Sequence, residues 1–152
     1  FSKYKSLSPD SIAAVKVYTS AINGLDDKDV RLSKRVTIPS SRLRGFKQVG
    51  PKDVKDYVGG NYAASTNLEL SLPNLLPEST KTDIGLFLDI GNVWGVDYDK
   101  SLDDSNKIRS SAGINTSWMS PLGPMTFTLS QNLLKASTDE AERFNFNLGT
   151  TF

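Results

Sequence analysis

The 152-residue sequence contains no cysteine and no histidine. Without cysteine there is no disulfide framework, no thiolate metal site and no cysteine nucleophile. Without histidine the commonest general base and metal ligand are gone. A Ser-His-Asp triad is excluded, and a hydrolytic zinc site has little to build on. Long apolar runs are missing too: none approaches the roughly 18 residues that a transmembrane helix needs. Charge of one sign is not in excess, since 18 basic and 17 acidic residues give a net charge of +1. Nothing here calls for nucleic acid or a strongly acidic partner. A transmembrane strand needs only about 9–11 residues of alternation, so a hydrophobic content of 38% fits a membrane barrel as well as a soluble domain. The chain begins with Phe1 and shows no signal-peptide pattern, which sets the expectation of a piece cut from something longer.

What is present is period-two alternation, the signature of β-strands. Six segments carry it. The first, about Ile12 to Asn23, alternates poorly: Val15, Val17 and Ala21 share one face, and Ile12, Tyr18 and Ile22 the other. The next sets Tyr62, Ala64, Thr66, Leu68, Leu70 and Leu72 against Ala63, Ser65, Asn67, Glu69 and Ser71. Ile84, Leu86, Leu88 and Ile90 then oppose Asp83, Gly85, Asp89 and Gly91, with Phe87 as an apolar exception on the polar face. Ile108, Ala112, Ile114 and Trp118 oppose Arg109, Ser111, Asn115 and Ser117. Met125, Phe127 and Leu129 oppose Thr126, Thr128 and Ser130. Phe144, Phe146, Leu148 and Phe152 oppose Asn145, Asn147, Gly149 and Thr151.

Turn chemistry at Pro73-Asn74, Pro77, the polar run Asp97 to Asn106, Ser120 to Pro124 and the charged run Ser137 to Glu142 separates the strands. Short connections between successive strands imply an antiparallel meander. One connection is different. Residues 24–60 form a long loop, rich in charge, proline and glycine, and loops of that length are usually functional or disordered.

The polar faces decide between membrane and water. A soluble sheet shows lysine and glutamate opposite its core, but here the opposite face is mostly Asn, Ser, Thr and Gly, which suits a hydrated lumen. Tyr62, Trp94, Trp118, Phe144 and Phe152 fall where aromatic girdles sit. A soluble sandwich, jelly roll or lipocalin-like barrel gives similar strands and stays open as an alternative. Six strands cannot close a transmembrane barrel, for which about eight is the minimum. The isolated piece therefore has unpaired edges and is expected to self-associate.

Within the long loop lies Leu43-Arg44-Gly45-Phe46. A lone loop arginine is most often solvated. Here, however, Glu69 and Asp89 stand on inward-facing strand positions, and a guanidinium fork matches a carboxylate and never deprotonates. Gly45 permits an unusual backbone and Phe46 plugs apolar space. The pattern points to a loop tucked inside a barrel and anchored by charge. No catalytic set, cofactor site or metal site stands out. Asp26-Asp27 and Asp103-Asp104 read as solvated loop acids, and Asp97, Asp99, Asp103 and Asp104 lack the spacing of an EF-hand. Gly59-Gly60-Asn61 lacks the strand-to-helix context of a phosphate loop and reads as a turn into a strand.

Taken in order, Leu43-Arg44-Gly45-Phe46, Val49-Gly50-Pro51-Lys52, Gly59-Gly60-Asn61, Leu68-Glu69-Leu70, Phe87 to Trp94, Ile108 to Gly113, Trp118 to Pro124 and the end Phe144 to Phe152 resemble the BamA family of outer-membrane protein assembly factors, also called bacterial surface antigens. The Trp118-Met119-Ser120-Pro121-Leu122-Gly123-Pro124 stretch is the most specific. The resemblance covers about residues 40–152 well and the first 40 loosely. It implies an all-β, sixteen-stranded barrel in the bacterial outer membrane, with this chain giving about its last six strands. It also implies POTRA domains before the barrel, absent from residues 1–152. The long loop would fold back into the lumen, with Arg44 held by Asp89 and Glu69. The family works without nucleotide or metal, and its partners are unfolded β-barrel clients, accessory lipoproteins and the lipid bilayer. Phe144, Phe146, Leu148 and Phe152 would lie on the seam strand and carry the C-terminal assembly signal. A translocator of the same superfamily is the neighbouring reading. Three stretches depart from the family pattern: Leu43 where valine or isoleucine is usual, Pro39-Ser40-Ser41 in place of glycines, and Leu133 in place of a proline.

Overall fold

Successive side chains on a strand point to opposite faces, so the alternating runs place one row of residues on each side of a sheet. The structure, a computed structural model, describes residues 1–26 and 28–149. Its long strands are β1 (Ser2–Ser8), β2 (Ser11–Ala21), β6 (Tyr62–Leu72), β7 (Thr82–Trp94), β8 (Arg109–Ser120), β9 (Gly123–Leu134) and β11 (Phe144–Leu148). They form one seven-stranded antiparallel sheet in the order β1-β2-β6-β7-β8-β9-β11, with β1 and β11 at its edges. Two short pairs lie in the connections: β3 (Phe46–Gln48) with β10 (Glu140–Ala141), and β4 (Lys52–Asp53) with β5 (Asp56–Tyr57).

Each of the six segments legible by alternation is a strand of this sheet, and β1 adds a seventh. Its sequence SKYKSLS is exposed along its whole length, so no face carries an apolar row to announce it. The β8–β9 hairpin is tighter than its prolines suggest. Ser120 and Gly123 are paired strand residues, which leaves 121–122 as the turn, and Pro124 sits opposite Met119.

The sheet is inverted relative to a soluble sandwich. Ser65, Asn67, Asp89, Ser111, Thr128 and Ser130 are buried, while Leu68, Leu86, Ile90, Ile114, Leu129 and Leu148 are exposed. An apolar surface that faces outward over strands of 11, 13, 12 and 12 residues fits a hydrocarbon layer. Tyr62 and Trp94 stack with ring centroids 5.9 Å apart at one end of the strands, and Trp118 sits across from Thr82 at the other. Rings at both rims fit the girdle placement.

The connections alternate in length by rim. Residues 9–10, 73–81 and 121–122 lie at one end; 22–61, 95–108 and 135–143 lie at the other. The longest, 22–61, lies against the inner face. Its Ile38, Leu43, Phe46 and Val49 pack with Ala63 of β6 and Val93 of β7 into the main apolar cluster, flanked by Tyr18 and Val36. This core is thus built between loop and sheet rather than between two sheets.

Candidate functional site

Asp89 is on the inner face of β7, fully buried, and pairs across the sheet with Asn67 and Ser111. A buried carboxylate without a partner is strongly disfavoured. Arg44 supplies the partner in fork geometry: its Nε donates to Asp89 Oδ2 at 2.8 Å and its Nη2 to Oδ1 at 2.7 Å. The backbone N–H of Arg44 donates to the same Oδ2 at 3.0 Å. Asp89 therefore fixes both the side chain and the backbone of one loop residue.

Glu69, on the inner face of β6, lies 2.9 Å from Arg44 Nη2 and 2.6 Å from Lys16 Nζ of β2. Two cations and two carboxylates balance. Burial alone lowers the Arg44 pKa, but hydrogen bonding and charge from Asp89, then Glu69, hold it above the ordinary arginine value. The guanidinium stays charged throughout the accessible pH range.

Beneath it lies Phe87. The Arg44 guanidinium carbon stands 3.9 Å from the ring centroid, a close cation–π seat. This explains the apolar exception on the polar face of β7, whose role the sequence alone did not disclose. Gly113, its cross-strand partner, makes room, because a Cβ there would come within 2.7 Å of the Phe87 ring and 2.1 Å of the Leu129 carbonyl.

The next residue is held by its backbone. Gly45 has φ +89°, a region that favours glycine, and its carbonyl accepts from Asn132 Nδ2 at 2.8 Å and from the Glu142 N–H at 3.0 Å. The Ser111 hydroxyl donates to the Arg44 carbonyl, and Asn67 Nδ2 donates to the Arg42 carbonyl at 2.8 Å. Phe46 is 2% exposed in the loop–sheet core. Strands β6, β7, β8 and β9 thus converge on three loop residues. Asn132 reaches Gly45 because it continues the inner row of Thr128 and Ser130, opposite Ser111; the bulge, with Leu133 as the extra residue, comes after it.

Sequence reasoning left two other buried arginines without a role. Arg35 donates to Asp97, to Asn61 Oδ1 at 3.1 Å and to the Val30 carbonyl at 3.1 Å, and stacks on Tyr98. Arg109 sits between Asp104 and Asp139. The acids of 97–104 do not gather: Asp97 faces Arg35, Asp99 accepts from Ser101, Asp103 from the Gly95 N–H, and Asp104 from Arg109. Among the described residues no cluster of three or more acids is placed to hold a metal ion.

At the far edge, Phe144, Phe146 and Leu148 pair with Leu129, Phe127 and Met125 and lie on the exposed apolar face. Phe146 packs on Phe127 with centroids 5.1 Å apart. The second edge of β11 is unpaired by any described strand. Phe152 lies outside the described residues.

Comparison with known proteins agrees with this architecture. Residues 1–152 match the Omp85 superfamily domain. The chain is 34% identical over 139 residues to the outer membrane protein assembly factor BamA of Neisseria meningitidis serogroup B, covering 72% of this chain and 17% of that protein. It is 26% identical over 147 residues to BamA of Neorickettsia risticii, covering 93% of this chain and 20% of that one. The crystal structure of BamA from Haemophilus ducreyi lacking POTRA domains 1–3 superposes with TM-score 0.85 at 26% identity, over 95% of this chain and 32% of that one. The chain thus spans about a fifth of the length of the curated relatives it matches. Its compartment is the bacterial outer membrane. A polar inner face, an apolar outer face and a loop pinned within are BamA-type barrel architecture, and the chain belongs to the Omp85 superfamily.

Proposed function

We propose that this chain is the loop-bearing, seam-bearing part of an assembly factor that folds and inserts β-barrel proteins into the outer membrane. The observation that carries the reading is the Arg44–Asp89–Glu69 lock, which seats a long loop on the inner face of an inverted sheet. The relatives, named as outer membrane protein assembly factors, support it.

The work is done by the main chain. Edge strand β11 presents a row of N–H and C=O groups, and an incoming client strand pairs with such an edge by β-augmentation. No bond is made or broken, so no nucleophile, base, metal or cofactor is required. The docked loop holds β6 to β9 in fixed register beside that edge. Phe144, Phe146 and Leu148 meet lipid. Clients are unfolded β-barrel proteins, with accessory lipoproteins as further partners.

The test is Arg44→Ala in the intact protein, with folding of a barrel client into vesicles as the readout. Removing one partner of a buried, hydrogen-bonded pair costs about 3–5 kcal/mol, because the other charge is stranded. The loop is expected to undock and client folding to slow. An undocked loop with client folding at the parent rate would sink the reading. Loss of polypeptide secretion with client folding intact would favour a translocator.

A further inference from the structure

All three connections at the long-loop rim are tied to one another. Arg35 of the 22–61 connection bonds Asp97 of 95–108, and Asn61 Nδ2 donates to the same carboxylate at 3.1 Å. The 135–143 connection touches the Arg-Gly-Phe segment through the β3–β10 pair, with Glu140 opposite Gln48 and Ala141 opposite Phe46. What closes the ring is Arg109, the first residue of β8.

Its side chain is fully buried and every N–H has an acceptor. Nε donates to Asp139 Oδ1 at 3.1 Å and Oδ2 at 3.0 Å. Nη2 donates to Asp139 Oδ1 at 2.9 Å and Asp104 Oδ2 at 2.6 Å. Nη1 donates to Asn92 Oδ1 at 2.5 Å and to the Lys107 carbonyl at 3.0 Å. Asp139 is equally buried and also accepts from the Ala136 N–H at 2.6 Å, so it shapes the turn that leads into β10.

The consequence is spatial. Asp139 directly precedes β10, whose pairing lays the connection over Phe46 and Gln48. One residue later the Glu142 N–H caps the Gly45 carbonyl, and Arg143 and Phe144 then root β11 on β9, with the Ser130 N–H donating to the Arg143 carbonyl at 2.8 Å. Residues 139–144 thus run from the Arg109 cluster, across the docked loop, to the edge strand.

We propose that Arg109 is a positioning residue: through Asp139 and Asp104 it seats residues 135–143 on the Arg-Gly-Phe loop, so that loop docking and the root of β11 are coupled. It is a second lock on the same loop, separate from Arg44–Asp89. The Arg44 lock grips the loop from the sheet, and the Arg109 lock presses a strand on it from the rim. The proposal deepens the assembly reading, on which its consequence for clients rests, but the seating itself is measured without a client.

The 152 residues contain no cysteine, so none of them competes with an introduced pair, and any cysteine elsewhere in the intact protein is first replaced by serine. Gln48→Cys with Glu140→Cys, cross-strand partners of β3 and β10, reports the seating by disulfide formation in the intact protein in membranes. Heat-modifiable gel mobility checks separately that the barrel is folded. Into this background go Asp139→Asn, which keeps shape and removes charge, then Arg109→Ala and Arg109→Lys. Cross-linking is expected to slow about tenfold or more in Asp139→Asn and Arg109→Ala: Arg109→Ala strands the carboxylates of Asp139 and Asp104, and Asp139→Asn takes the charged acceptor from Nε and Nη2 and leaves Arg109 with Asp104 alone. Arg109→Lys restores the charge without the fork and is expected to recover part of the rate. Amide exchange at Glu142 and Ser130 should rise in step. Parent-rate cross-linking in folded Asp139→Asn would overturn the proposal, and that variant decides even where Arg109→Ala does not fold. Lost seating with client folding at the parent rate would count against the assembly reading alone.

Discussion

Gly45→Ala is the smallest change that should undock the loop. Two effects add. At φ +89° an L-residue is strained by about 1–2 kcal/mol. The new methyl also meets Ser111 Cβ at 3.1 Å, Ser130 Oγ at 3.1 Å and Ser130 Cβ at 3.2 Å. Neither serine yields easily, since Ser111 donates to the Arg44 carbonyl and Ser130 to the Glu142 carbonyl. Overpacking of this kind costs about 1–3 kcal/mol. A total near 3 kcal/mol shifts the docking equilibrium on the order of 100-fold. Amide exchange at Arg44 and Glu142 reads it, since both N–H groups are bonded only when the loop is seated. Gly123→Ala is the matched control: φ is +120° there, but a Cβ would meet nothing within 4 Å, so it carries the strain without the contact. Equal exchange in the two variants would show that the close approach of Gly45 to β8 and β9 does not hold the loop.

The 95–108 connection should respond to acid in a defined direction. Burial alone raises the Asp97 carboxyl, but the Val30 N–H, Arg35 and Asn61 together hold it well below the usual carboxylate range. The stabilisation is thus fully present above about pH 4 and is lost only as pH falls through the depressed folded value. Protection factors in 95–108, corrected for the intrinsic pH dependence of exchange, should be flat from neutral pH to mild acid, whereas Asp97→Asn should lower them at pH 7; parent-like protection in that variant would refute the assignment. On the outer face, Leu86→Arg should cost about 2–4 kcal/mol of barrel stability in a bilayer, read by urea unfolding in vesicles. An unchanged midpoint would mean that this face does not meet lipid.

The strands were legible because alternation is a local property, and a one-residue slip would turn every apolar side chain the wrong way. The inner acids were legible by the same logic: Asp89 and Glu69 break rows of Asn, Ser and Gly. Arg109 carried that signal too, as the lone charge on the inner row of β8, but its partner Asp139 sits in a charged run without periodicity. Arg35 and Asp97 both lie in connections, so nothing local joins them across 62 residues. Strand β1 was missed for the opposite reason: its lysines and its exposure on both faces erase the apolar row. Phe87 showed as an anomaly, and only the guanidinium above it gives the anomaly a reason.

The choice of charge over grease follows from the inverted sheet. With its apolar face committed to lipid, the inner face is left mostly with Ser, Asn and Thr, scattered charges and a small apolar patch at Ala63, Phe87 and Val93, a surface that grips a loop only weakly by burial alone. The apolar cluster of Leu43, Phe46, Val49 and Val93 supplies bulk but little direction, because hydrophobic contact is not directional. Direction comes from the planar forks of Arg44 and Arg109, which match a carboxylate in one geometry. Buried ion pairs are poor sources of net stability and, in some systems, good sources of a unique arrangement. A loop held by two such forks has one seat. Under the proposed assembly function, such a seat would hold the β11 edge in register until a client strand pairs with it.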